Sequence, residues 1–172
     1  MSQLRRSSAT KQLGTLAVLE LNEPTRPAGA APFHADLLAG VKERATAMGF
    51  AVTHWKFGPG SEISLKRLDQ ILNWRGIRGL VLLPTWSEPD FRDLNWKRFT
   101  GIYIDYWIRQ PVLHTVCSDH FHTLFIALEK ARELGYRRPG GAGERRSKGR
   151  LQGRSIGAYL GYLHAHAEMT AL

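Results

Sequence analysis

The sequence predicts an α/β fold in which a largely parallel sheet carries helices on both faces. Three observations lead there. Short apolar runs of strand length alternate with longer segments whose apolar residues recur every three or four positions. Glycines stand where those helical segments should stop, at Gly49, Gly76 and Gly135. The chain has 172 residues, 43% apolar and 23% charged, the size and balance of one globular domain with room for an appendage. Strand–helix–strand order then calls for right-handed crossovers, so the strands run parallel.

Leu13–Leu21 (LGTLAVLEL) is apolar enough for a buried parallel strand. A turn-prone stretch with Asn22, Pro24, Pro27 and Gly29 leads to a helix over Phe33–Gly49, whose inward stripe reads Phe33, Leu37, Leu38, Val41, Ala45 and Met48. Phe50–Phe57 alternates as a strand. After Gly58, Pro59 and Gly60, Ser61 and Glu62 open a second helix with the stripe Ile63, Leu65, Leu68, Ile71, Leu72 and Trp74. Gly79–Pro84 is the third strand and Thr85–Trp96 a long loop. Thr100–Asp105 is the fourth strand and His114–Cys117 the fifth. Ser118 or Asp119 caps a third helix running to Leu134. A closing helix lies within SIGAYLGYLHAHAEMTAL, with Ile156, Tyr159, Leu160 and Leu163 on one face.

Composition excludes several functions. No apolar run approaches the roughly 20 residues that span a bilayer. The opening MSQLRRSSATKQLG has no apolar stretch behind its basic residues, unlike a secretory signal, so a cytoplasmic protein with no membrane partner is expected. Cys117 is the only cysteine, which removes an intramolecular disulfide and any Cys-rich zinc site; within its strand it reads as a small hydrophobe. There is no G-x-S-x-G, P-loop or G-x-G-x-x-G. His164 and His166 are two apart and do not share a helix face, and His114, His120 and His122 have only Asp119 near them. No enzyme, cofactor or metal site is expected.

The formal net charge is +9, but it is concentrated at the ends. Arg5, Arg6 and Lys11 stand without an acid at the start. Eight Lys or Arg face two Glu between Arg132 and Arg154. The body is close to neutral, so contact with phosphates would come only from the termini.

In open parallel sheets, ligands bind outside the carboxyl ends of the strands. The residues there are Asn22 and Glu23, Gly58, Pro84 to Trp86, Asp105 to Trp107, and Asp119 with His120. Asp105 either hydrogen-bonds a sugar hydroxyl or caps a turn. Trp86, Phe91 and Trp96 either stack on a pyranose or purine or plug the edge of the core.

The order LAVLELNEP, PFHADLLAGVKERATAMGFAV, RGIRGLVLLP, GIYIDY and VCSDHFHTLFIALEKARELGYRRP resembles the lactose-repressor (LacI/GalR) family of transcription regulators. It is similar to the first lobe of their periplasmic-binding-protein-like effector domain, from about Gly14 to Arg138. The resemblance implies a Rossmann-like sheet and a cytoplasmic, sugar-sensing homodimer. Operator DNA would be reached only through a helix-turn-helix that this chain lacks. It implies a linker remnant over 1–13, the lobe over 14–138, and a Gly/Arg-rich segment with a terminal helix over 139–172. That last segment is expected to be a truncated or frame-disrupted remnant of the second lobe.

The resemblance also assigns ligand-binding roles. Phe33 and His34 are similar to the family's aromatic pair after the first strand, although Phe33 could equally staple the helix start. Asp119 faces the cleft as well as capping a helix. His120 stands where the family often has Asn, and Arg150 in RLQG resembles an arginine that reaches the effector from the second lobe. The expected partner is a small effector, a sugar or nucleoside, and the alternative is a stand-alone sugar-binding protein of the periplasmic-binding-protein type.

Overall fold

The computed structural model describes residues 13–24, 26–106, 108, 110–140 and 151–169. Five parallel strands are ordered β2-β1-β3-β4-β5: β1 (Gly14–Leu21), β2 (Phe50–Phe57), β3 (Gly79–Leu82), β4 (Thr100–Ile104) and β5 (His114–Val116). The helices are α1 (Ala30–Ala47), α2 (Leu65–Trp74), α3 (His120–Glu133) and α4 (Arg154–Ala165). The predicted α/β class, strand sequence and helix sequence are all present.

Side chains alternate across the sheet. One face carries Ala17, Leu19, Phe57, Leu80, Leu82 and Tyr103, packed against Leu65, Leu68 and Leu72 of α2 and against Phe91, Leu94 and Phe99 of the loop before β4. The other face carries Val18, Glu20 and His54 and meets α1 along β2. At the centre, Ala17 and Val18 have no exposed surface, as expected of a strand covered on both sides.

Two stripes differ from the sequence expectation. On α1 the buried residues are Ala30, His34 and Ala45, while Phe33 and Met48 lie open. The stripe's phase follows the 30–34–45 row, and each neighbouring residue is turned by about 100° away from it. On α2, Ser64 rather than Ser61 or Glu62 starts the helix, accepting from the Arg67 amide at 3.2 Å. Trp74, two positions beyond Leu72, then points outward and is 91% exposed.

The far side of the molecule is organised differently. β5 is an exposed edge strand, and Cys117 follows it rather than lying within it. Helix α3 packs on α4 through a second cluster of Leu128, Tyr162 and Met169. The buried residues of α4 are Ala158 and Tyr162; of the expected face, Tyr159 and Leu163 pack against this cluster, while Ile156 and Leu160 stand exposed. Tyr162 donates to Glu129 Oε2 at 2.5 Å, which ties the two helices.

Glycine is required at one turn in particular. Gly58 ends β2 at φ +100°, and a Cβ there would stand 2.6 Å from Leu21 Cδ1. Gly58→Ala is expected to cost about 1–3 kcal/mol of unfolding free energy in urea denaturation. Tyr162→Phe removes a buried hydroxyl's bond to a carboxylate and should cost about 1.5–3 kcal/mol by the same measurement. A change within about 0.5 kcal/mol for either would contradict the packing described.

Candidate ligand site at the carboxyl edge of the sheet

Parallel pairing delivers the carboxyl ends of all five strands to one edge. There, above β4 and β5 on the α1 face, lies a groove of about 290 Å³. Phe33 and Leu37 of α1 form one wall, and Pro84 and Ile104 the floor. Asp105, Ser118 and His120 supply polar groups, with Val116 and Cys117 beside them. An apolar cleft with a few convergent polar groups is the usual form of a small-molecule site.

Asp105 is 4% exposed, and its Oδ1 accepts from the Tyr106 amide at 2.7 Å. The carboxylate therefore caps the turn after β4, as one of the two sequence readings expected, and borders the groove. Asp119 is the helix cap expected: its Oδ1 accepts from the His122 amide at 2.9 Å. It is not among the groove residues. His120 is, with its ring 6.1 Å from that of Tyr106.

Tyr106, one of the strand-end residues, directly follows Asp105. Its hydroxyl donates to Ser118 O at 2.9 Å, joining the ends of β4 and β5. The Arg154 guanidinium lies 4.3 Å from its ring centre, and Gln152 Nε2 donates to its carbonyl at 3.0 Å. Contact with Cys117 pushes the Tyr106 phenol above its ordinary range. The start of α4 is thereby fastened to the site's edge. Arg150 lies outside the described residues.

The aromatic candidates separate. Phe91 is 3% exposed, with its ring 5.6 Å from Phe57 and 6.1 Å from Trp96. The Trp96 indole donates to Phe91 O at 3.1 Å, so this pair seals the core and does not face the groove. Trp86 is half-buried and its ring lies 5.3 Å from that of His34. Buried Glu23 fixes it there, accepting from the amides of Trp86 at 2.9 Å and Ser87 at 2.6 Å, and from the Ser87 hydroxyl at 2.6 Å. No sequence pattern marks this role, because Glu23 and Ser87 are 64 positions apart.

His34, expected beside Phe33 at the ligand, is turned into the fold instead. It is 4% exposed, and Nδ1 is 3.4 Å from Glu20 Oε1. Glu20 is itself buried and paired with Arg26 at 2.5 Å; Arg26 also donates to Leu21 O. Burial alone would raise the Glu20 carboxyl, but contacts from His34 and Arg26 and the charge of Lys56 hold it well below the usual carboxylate range. His54 Nε2 is 2.8 Å from Glu20 Oε2, close enough for an ion pair but without hydrogen-bond alignment. Among the described residues, no group of three His, Cys, Asp or Glu is placed to hold a metal.

No protein-family model and no curated protein matches the chain. Solved structures do. A LacI transcriptional regulator from a Rhodococcus species superposes with a TM-score of 0.57 at 22% identity, covering 92% of this chain and 56% of its own. The transcriptional regulator CelR in complex with cellobiose gives 0.61 at 23% identity, covering 90% of this chain and 47% of its own. The LacI family regulator CCPA from Weissella paramesenteroides, with bound glucose, gives 0.62 at 12% identity, over 91% and 57%. This chain spans about half the length of the regulators it resembles. Its five-stranded parallel sheet and flanking helices share the fold of the periplasmic-binding-protein-like lobe of the LacI-family transcriptional regulators.

Proposed function

We propose that this chain is the effector-binding and dimerisation module of a LacI-type transcriptional regulator, and that it senses a small sugar-like metabolite. The observation that carries the reading is the groove at the carboxyl edge, where the Asp105 carboxylate meets the apolar surface of Phe33, Pro84 and Ile104. A sugar presents the same combination, hydroxyls on its rim and C–H groups on its faces. The solved regulators of this fold that hold glucose or cellobiose support it. The lobe runs over residues 14–138, with 139–172 as a remnant of a second lobe. Phe33, Asp105 and His120 contact the ligand; Trp86, His34 and Asp119 shape the edge around it, and Arg150, outside the described residues, is kept as a further ligand-binding residue on the resemblance alone. The module works in the cytoplasm, and among the described residues no helix is long and apolar enough to cross a membrane.

A groove bounded by one lobe leaves part of a sugar's hydroxyls in water. Each hydrogen bond forgone is worth about 0.5–1.5 kcal/mol, so three cost roughly one to three decades of affinity. Calorimetry against glucose, cellobiose and a nucleoside should therefore find only millimolar binding. Asp105→Ala should weaken it roughly ten- to hundredfold. A micromolar ligand indifferent to Asp105→Ala and Phe33→Ala would move the site elsewhere.

Dimerisation is favoured by apolar surface left open beside β5 and along α3, at Val116, Phe121, Ile126 and Leu134. A stable interface covers about 800 Å² per partner. Sedimentation at about 10 μM should find a dimer or larger. A monomer there would refute this part of the proposal.

A further inference from the structure

Near-neutral in sum, the body of the chain is divided by the fold into two edges of opposite charge. The carboxyl edge gathers acids: Glu20, Glu23, Asp105 and Asp119 stand where strands end or a helix begins. The amino edge gathers cations. Arg44 lies in the last turn of α1, just before Gly49, whose carbonyl accepts from the Leu13 amide ahead of β1. Arg75 and Arg78 stand in the turn from α2 to β3. Lys97 and Arg98 lead into β4, whose Thr100 amide donates to Arg78 O at 2.8 Å.

Sheet pairing sets these residues in a row. The starts of β2, β1, β3 and β4 are neighbours in that order. Three steps of about 4.8 Å between strands make a front of roughly 14 Å. Each of the cations is exposed. Arg98 meets Asp69 at 3.5 Å, Arg78 donates to Asn73 Oδ1 at 3.0 Å, and Arg75 lies 5.2 Å from the centre of the Trp55 ring. Arg44 and Lys97 have no ion-pair partner among the described residues. Of the nearby acids, Glu43 precedes Arg44 outside the last turn of α1, and the charge of Asp93 acts on Arg92.

None of these cations lines the apolar hollow between Trp96 and Leu113 at the same edge. Cations strung along an edge, rather than closed round a cavity, match a partner that is itself a uniformly charged rod. Double-stranded DNA carries one negative charge per about 1.7 Å of its axis, so roughly eight lie along such a front. Single strands are tracked instead by several aromatics in succession. Here Trp74 stands beside Arg75, 91% exposed, while Trp96 and Phe99 are packed into the core.

We propose that the amino edge of the sheet is a binding surface for the phosphate backbone of double-stranded DNA, contacted by Arg44, Arg75, Arg78 and Lys97. Contacts to phosphate fix position and carry no sequence information, so the binding is sequence-independent. The surface lies at the end of the sheet opposite the groove, and it stands whether or not the groove takes a sugar.

The test is fluorescence anisotropy of a labelled duplex of about 20 base pairs, titrated with the full chain between about 50 and 200 mM salt. Arg44→Ala/Lys97→Ala should weaken binding at the lower salt roughly tenfold for each cation removed. The slope of log affinity against log salt should become shallower by about 2. Lys66→Ala/Arg67→Ala removes the same charge from the start of α2, at the carboxyl edge. That pair lies beyond the screening length of about 10 Å and should change affinity by less than about twofold. Arg44→Lys should keep the parent slope, and a duplex of unrelated sequence should bind equally. A parent-like slope in Arg44→Ala/Lys97→Ala, with binding lost instead in Arg5→Ala/Arg6→Ala/Lys11→Ala, overturns the proposal. So does equal weakening by the two pairs, no binding at the lower salt, or tighter binding of a single strand with a quenching of emission that Trp74→Phe removes.

Discussion

Everything in this molecule depends on β1 lying at the centre of a parallel sheet, paired with β2 on one side and β3 on the other. Parallel pairing cannot be closed by hairpins, so each connection must cross a face and return. The crossovers supply the cover that leaves Ala17, Val18 and Leu19 with almost no exposed surface. They also force every strand to finish at the same edge. Asn22, Gly58, Pro84, Asp105 and Ser118, spread over most of the chain, become neighbours there for that reason alone. The site is a by-product of strand direction.

The same constraint explains why the edge is so polar on one side. A strand buried on both faces has nowhere to put a carboxylate, yet β1 carries Glu20 near its end. An unpaired buried charge is costly enough that partners must be found. The fold draws them from three elements: Arg26 from the connection, His34 from α1 and His54 from β2. Glu23 solves a similar problem two residues after the strand by taking the amides of Trp86 and Ser87. These two acids fasten α1 and the loop after β3 to the carboxyl edge of the sheet.

Cover is unequal across the sheet. Helix α2 and the aromatic loop seal one face with a continuous core. On the other face α1 spans the β2 side, while α3 turns to pack on α4. The surface over β4 and β5 is left as a groove with exposed apolar margins. A lobe of this shape is suited to receiving something, whether ligand or protein, on that side. Tyr106 joins the two regions, since it bonds the end of β5 and carries Arg154 and Gln152 of the α4 start on its ring and carbonyl.

The sequence by itself determined the strand and helix order, because hydrophobic period is a local property and survives without tertiary context. It also determined the Asp119 cap and the strand-end position of Asp105, which follow from residue chemistry next to an element boundary. Tertiary structure decided the rest. Which row of α1 faced inward turned on a histidine with a buried carboxylate to meet, not on the larger apolar Phe33. Whether Phe91 and Trp96 met ligand or core turned on Phe57, more than thirty residues away. Trp86 took its place from Glu23, 63 positions away. Such contacts have no periodicity to betray them; they exist only after parallel strands have brought distant chain ends to a common edge.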